Sequence, residues 1–203
     1  MQQPLPENKD WTWVLERPCP QCGFDASTVA RGDLAARIRT NAAAWRAVLN
    51  RGPVVSMRPP DDPDRGPVWS ALEYGAHVRD VYHLMADRLK LMLTKNDPQF
   101  LNWDPDAAAM EQRYSEQDPH RVGYDLALTA GKVADALERV RDNQWGRTGR
   151  RSDGKTFTVE QLATYLYHDA VHHLHDVEAG FKALAGDDSE GEEGDEPGVD
   201  DES

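Results

Sequence analysis

Four of the seven histidines in this 203-residue chain crowd one stretch, Tyr167-His168-Asp169-Ala170-Val171-His172-His173-Leu174-His175-Asp176. Imidazoles and carboxylates are ligands for zinc and similar divalent ions, and bundle metal sites are built from such side chains projecting inward from facing helices. At 100° per residue, the apolar stripe of this stretch is Ala163, Leu166, Tyr167, Ala170, Leu174, Val177 and Phe181. Asp169, His173 and Asp176 fall along one edge of that stripe. His168, His172 and His175 form a second row, closer to the opposite face. Both rows contain the i, i+4 spacing that lets two side chains share one ion. Only the first row borders the core, where a carboxylate and an imidazole one turn apart need either a metal or each other.

The same projection separates two histidines further upstream. His77 flanks an apolar stripe near Val81 and Leu84, whereas His83 falls on the far side with Arg79 and Lys90. His77, Asp169 and His173 therefore form a candidate two-histidine, one-carboxylate metal set. Three protein ligands leave coordination positions open, which is the arrangement of a catalytic rather than a closed structural metal. An open position can lower the pKa of a water or hold a substrate thiolate. Asp176, one turn beyond His173, is placed to orient a ligand imidazole. Two alternatives stand beside this reading. His77 with His168 and His172 is a rival ligand set. The plainer account is a solvated histidine row with an Asp169–His173 helix pair worth about 0.3 kcal/mol.

Other residues with chemical potential are sparser. Cys19-Pro-Gln-Cys22-Gly23 has the form of half a zinc knuckle, the glycine after the second cysteine permitting a tight turn. A full site needs two more ligands, yet there is no second cysteine pair and no histidine before His77. A structural turn is the first reading, with a redox pair or a dimer-bridging metal as alternatives. Trp11, Trp13 and Phe24 are expected to pack the N-terminal segment over the rest. Arg147, Arg150, Arg151 and Lys155 make a basic loop, read first as solvated and second as a greeting for an anionic substrate.

Helices must position the site. The spacing of Leu34, Ile38, Ala42, Trp45 and Leu49 predicts a first helix over Asp33 to Asn50, stopped at Arg51-Gly52-Pro53. Ser70 three residues before Glu73 is a capping box, with Trp69 and Tyr74 as its hydrophobic staple. The helix it starts carries Val78, Val81, Met85, Leu89 and Met92 to about Lys95. A short turn is expected after Asp106. Asp118-Pro119 opens a third long helix, and Thr158 with Gln161 caps a fourth that runs to about Leu184. No strand signal of any length competes. The expected fold is all-α, an up-down-type four-helix bundle over 33–184, with an irregular segment at 1–32 and a disordered acidic tail at 185–203.

Charge excludes some functions. The net charge is −13, and 187–203 holds ten carboxylates with no Lys or Arg, which leaves the remainder near neutral at −3. Neither part offers the basic footprint of a nucleic-acid binder. No apolar run approaches the ~18 residues of a membrane span, and the N-terminus lacks a basic region followed by an apolar stretch. The expectation is a cytoplasmic protein without nucleic-acid or membrane partners.

The motifs resemble those of the DinB-like four-helix bundles, in the branch that contains mycothiol-dependent maleylpyruvate isomerase. In that superfamily one ligand histidine follows a Trp-Ser/Thr-x-x-Glu/Asp motif, here Trp69-Ser70-Ala71-Leu72-Glu73 ahead of His77. The other two ligands lie four residues apart in a later helix, the second followed three residues on by Asp or Gln and then an aliphatic residue. His173-Leu174-His175-Asp176-Val177 fits that ending, which makes Asp169 the earlier ligand. The resemblance spans about Asp33 to Leu184 and implies a divalent ion on His77, Asp169 and His173. Zinc comes first, with nickel, iron or manganese as alternatives, since Asp replaces the commoner His or Glu. It also implies a small-molecule substrate and a mycothiol-like low-molecular-weight thiol cosubstrate, hence an S-transferase or isomerase. A metal-dependent hydrolase and a non-catalytic, metal-stabilised interaction protein are the alternatives. Bundles of this kind often pair into homodimers.

Overall fold

The computed structural model describes residues 11–63 and 66–190, with 187–190 described by their backbone alone. Five helices account for most of it: α1 Leu34–Leu49, α2 Ala71–Thr94, the short α3 Pro105–Glu111, α4 Pro119–Glu138 and α5 Val159–Glu190. The four long ones make the four-helix bundle. No helix among the described residues is long and apolar enough to cross a membrane.

The local signals hold where they are strongest. Ser70 Oγ accepts from the Glu73 amide while Glu73 Oε2 accepts from the Ser70 amide at 2.9 Å, so the capping box at the start of α2 is complete. Trp69 and Tyr74 close the staple edge to face, 5.5 Å between ring centroids. Asp118 caps α4 through the Arg121 amide, with Pro119 in its first turn. Thr158 and Gln161 exchange amide bonds of 3.0 and 3.1 Å at the head of α5.

Packing order is what the chain reveals only when folded. The main contacts run from α1 to α4, from α4 to α2, and from α2 to α5, with α5 returning to α1. Of the long helices, α1 and α2 therefore sit diagonally across the bundle, as do α4 and α5, whereas α2 and α4 are neighbours. The core is continuous: Ile38, Trp45, Val78, Tyr82, Leu126 and Val133 are all fully buried. A polar thread crosses it. Trp45 Nε1 donates to the Ala170 carbonyl at 3.0 Å, Asn41 Nδ2 reaches the same oxygen at 3.4 Å, and the Tyr82 hydroxyl donates to Asn41 Oδ1. Buried polar groups must be paired, and here the pairing fixes α5 against α1 and α2 beside Asp169.

Two expectations need correction. The basic loop holds a short antiparallel hairpin, β1 Thr148–Arg150 with β2 Thr156–Thr158, Gly149 opposite Phe157. Three-residue strands are too short to leave an alternating pattern in sequence. The hairpin packs on the end of α2, and an added Cβ on Gly149 would sit 2.4 Å from the Phe100 ring. The last helix also runs past its expected end near Leu184, to Glu190. The rest of the expected tail, 191–203, lies outside the described residues.

The basic side chains of that loop are consumed by structure. Arg147 donates through Nε to the Met92 carbonyl and through Nη2 to the Lys95 carbonyl, satisfying the C-terminal turn of α2. Arg150 pairs with Asp97, Arg151 with Asp153, and Lys155 donates to Thr12 Oγ1 at 3.1 Å.

Candidate metal centre

His77 stands on α2, one turn past the capping box, and is buried. Glu73 fixes that turn. It is 4% exposed and accepts from the Ser70 amide, the Ser70 hydroxyl and the Arg58 Nε and Nη2 groups. Arg58 thereby ties the α1–α2 connection to the helix that presents His77.

Across the bundle, α5 presents Asp169 and His173. One ligand atom from each of His77, Asp169 and His173 lies within 4.8 Å of the other two. His77 Nε2 is 3.4 Å and His173 Nε2 is 3.8 Å from Asp169 Oδ1. A tetrahedral ion with N and O ligands about 2.1 Å away separates them by about 3.4 Å, so the spacing fits a divalent cation. The polar inventory points the same way. Both ring nitrogens of His77 and the Oδ1 atom of Asp169 are buried without a hydrogen-bond partner among the described residues. Such groups are costly to bury unsatisfied, and a cation satisfies Asp169 Oδ1 and His77 Nε2, the nitrogen that faces it, at once.

Asp176 does what its spacing suggested. Its Oδ2 atom lies 3.0 Å from His173 Nδ1. An ionised carboxylate only accepts, so Nδ1 carries the proton and the Nε2 lone pair faces Asp169 and His77. Burial pushes the Asp169 carboxyl up, but the imidazoles of His173, His77 and His168 outweigh it and hold Asp169 below the usual carboxylate range. It remains an anionic ligand at neutral pH.

Aromatic rings wall the centre. Tyr74 stacks on His173 at 5.0 Å, Trp69 leans on His77 at 5.7 Å, and Trp103 stacks on His77 at 5.6 Å. Trp69 and Glu73 of the capping motif are thus the support of the His77 ring and helix turn, respectively. Trp103 also lines an open cleft of about 470 Å³ whose other walls include Arg79, Asp80, His83, Asp87 and Asp125. His83 is exposed on the wall of that cleft and lies outside the converging set.

The second histidine row departs from expectation. His168 and His172 are 3% and 5% exposed, and only His175 faces solvent. The helical projection saw the bundle core but not the N-terminal segment, which lies across that side of α5. Trp11 packs on both rings, at 5.9 Å from His168 and 4.9 Å from His172, and Phe24 packs on His168 at 5.1 Å. Burial first, and then the neighbouring His172, pushes His168 down to about 4; burial likewise lowers His172. Both imidazoles are neutral at pH 7. The rival ligand set does not assemble: His77 meets Asp169 and His173, whereas His168 and His172 meet Cys19 and Cys22. Burial, followed by the adjoining Cys19 thiol, pushes the Cys22 thiol up to about 11, the opposite of what a dithiol redox catalyst uses.

No curated protein matches the chain. Among solved structures it is similar to YfiT from Bacillus subtilis, described as "a probable metal-dependent hydrolase with an unusual four-helix bundle topology". The TM-score is 0.67 at 18% identity, covering 83% of this chain and 94% of that one. At that identity the likeness is one of fold. The family model of the DinB superfamily matches residues 34–177, from the start of α1 to the residue after Asp176, and so takes in all three converging side chains. The chain belongs to the DinB superfamily.

Proposed function

We propose that the protein is a metal-dependent enzyme whose divalent ion is held by His77, Asp169 and His173. One observation carries this reading: Asp169 Oδ1 and both nitrogens of His77 are buried with no hydrogen-bond partner among the described residues, and they gather with His173 at ligand spacing. The ion, when bound, supplies a Lewis acid that holds a thiol as its thiolate or activates a water. The chain's own groups do the rest. Asp169 contributes one negative charge and keeps the site's charge low. Asp176 holds the His173 proton on Nδ1. Trp69, Tyr74 and Trp103 fix the ligand rings and limit water. The cleft beside Trp103 is the approach for substrate.

The reaction we favour is thiol-dependent group transfer or isomerisation, with a mycothiol-like cosubstrate and zinc as the metal. Its support is the sequence resemblance of the Trp69-to-His77 and Asp169-to-Val177 motifs to that branch of the superfamily. Hydrolysis is the second reading, favoured by the description of YfiT. Metal analysis of protein purified without chelator or affinity tag tests the common premise. The expected result is at least one ion per chain that His77→Ala and His173→Ala each lose. Metal content unaffected by these substitutions would end both enzymatic readings. With metal present, conversion that requires an added low-molecular-weight thiol separates transferase from hydrolase.

A further inference from the structure

A second group of ligands lies on the opposite side of α5. One ligand atom from each of Cys19, Cys22, His168 and His172 falls within 4.8 Å of the other three. Cys19, His168 and His172 are buried, and Cys22 is half-buried. The cysteines are free thiols. We propose that Cys19, Cys22, His168 and His172 bind a second divalent ion, zinc by ligand chemistry, which fastens the N-terminal segment to the bundle.

Three observations support this beyond proximity. The first is the loop. Cys19 and Cys22 bracket a tight turn in which the Gly23 amide donates to the Cys19 carbonyl at 2.9 Å and the Cys19 amide donates to the Phe24 carbonyl at 2.8 Å. Gly23 has φ +72°, a conformation that side chains rarely adopt. That fold of the backbone aims both thiols the same way, the half-knuckle anticipated from the spacing. The second is the dimension. Cys19 Sγ is 3.7 Å from His172 Nδ1. With metal–sulfur about 2.3 Å and metal–nitrogen about 2.0 Å, a tetrahedral site separates S from N by about 3.5 Å. The third is the unmet demand. His168 Nε2 is buried with no hydrogen-bond partner among the described residues. His172 Nε2 faces Asp176 Oδ2 at 3.7 Å, which leaves its Nδ1 lone pair toward the cysteines.

Two cysteines and two histidines supply a closed tetrahedral set, with no position left for substrate, so the site is structural. Its ligands join residues about 150 positions apart, across a contact where the Trp11 and Phe24 rings pack on Tyr167, His168 and His172 of α5. Such an ion contributes folding free energy by clamping that segment. The two centres are distinct in ligands and in type, but Asp176 serves an imidazole of each.

Cobalt substitution in the full chain tests the proposal. Metal-stripped protein titrated with Co²⁺ is expected to bind two ions, one of them with thiolate-to-cobalt charge-transfer absorption. Cys19→Ser, Cys22→Ser and His168→Ala should each abolish that band and leave one ion bound. His77→Ala should keep the band and lose the other ion, so failure of one centre is separable from failure of the other. Because a cysteine variant can fail to fold, the zinc-loaded wild-type chain provides a second measurement. Modifying its thiols with an organomercurial should release one equivalent of zinc to a chromogenic chelator. Absence of the charge-transfer band in the wild-type chain, or thiol modification that releases no metal, would overturn the proposal.

Discussion

Asp176 is the most informative single side chain to remove. Its Oδ2 atom lies 3.0 Å from His173 Nδ1 and 3.7 Å from His172 Nε2, with its side chain 16% exposed. Truncation to alanine leaves all three converging ligands of the first centre in place but takes away the acceptor that orients His173. A hydrogen bond to a charged group contributes about 1.5–3 kcal/mol when partly buried. Lost carboxylate partners of metal-bound histidines weaken affinity by about 10–100-fold, or about 1.4–2.7 kcal/mol, so two routes give the same range. The 3.0 Å contact should cost more than the 3.7 Å one. Competition titration against a chromogenic chelator is the assay, with Asp176→Ala expected to bind its ion about 30-fold more weakly at the His77 centre. Asp176→Asn, which keeps an acceptor oxygen, should fall between. Binding within about twofold of the parent in Asp176→Ala, alongside complete loss in His173→Ala, would show that His173 needs no such partner and refute the reasoning.

Further outcomes follow from other contacts. His83→Ala should retain metal as fully as the parent in elemental analysis, since that ring is exposed and lies outside the converging set. Glu73→Ala removes a buried carboxylate that caps α2 and pairs with Arg58; it should cost about 3 kcal/mol in urea unfolding, more than an N-cap alone. Gly149→Ala drives a methyl into the Phe100 ring and should cost about 1–3 kcal/mol in the same assay. Chelator treatment should lower the thermal midpoint of the wild-type chain, and excess zinc should restore it; an unchanged midpoint would argue against metal-linked folding.

The sequence determined more of this protein than its low identity to known structures suggests. Caps are local: Ser70 with Glu73, Asp118 with Pro119, and Thr158 with Gln161 act within four residues, so the helix starts were legible. The helical period placed His77 inward and His83 outward, because on one helix angular position follows from numbering alone. It also grouped Asp169 with His173 and put Asp176 beside them. What numbering cannot carry is which elements become neighbours. The diagonal placement of α1 against α2 and of α4 against α5 comes from the complementarity of whole faces, not from any one segment. The hairpin at Thr148 is held by its fit on α2 rather than by strand propensity. The clearest case is His168 and His172: their face points away from the bundle, and on α5 alone it reads as solvated. Only the folded chain lays Cys19, Cys22 and two aromatic rings over it, because contacts between residues so far apart are set by the packing of separate segments and leave no period to read.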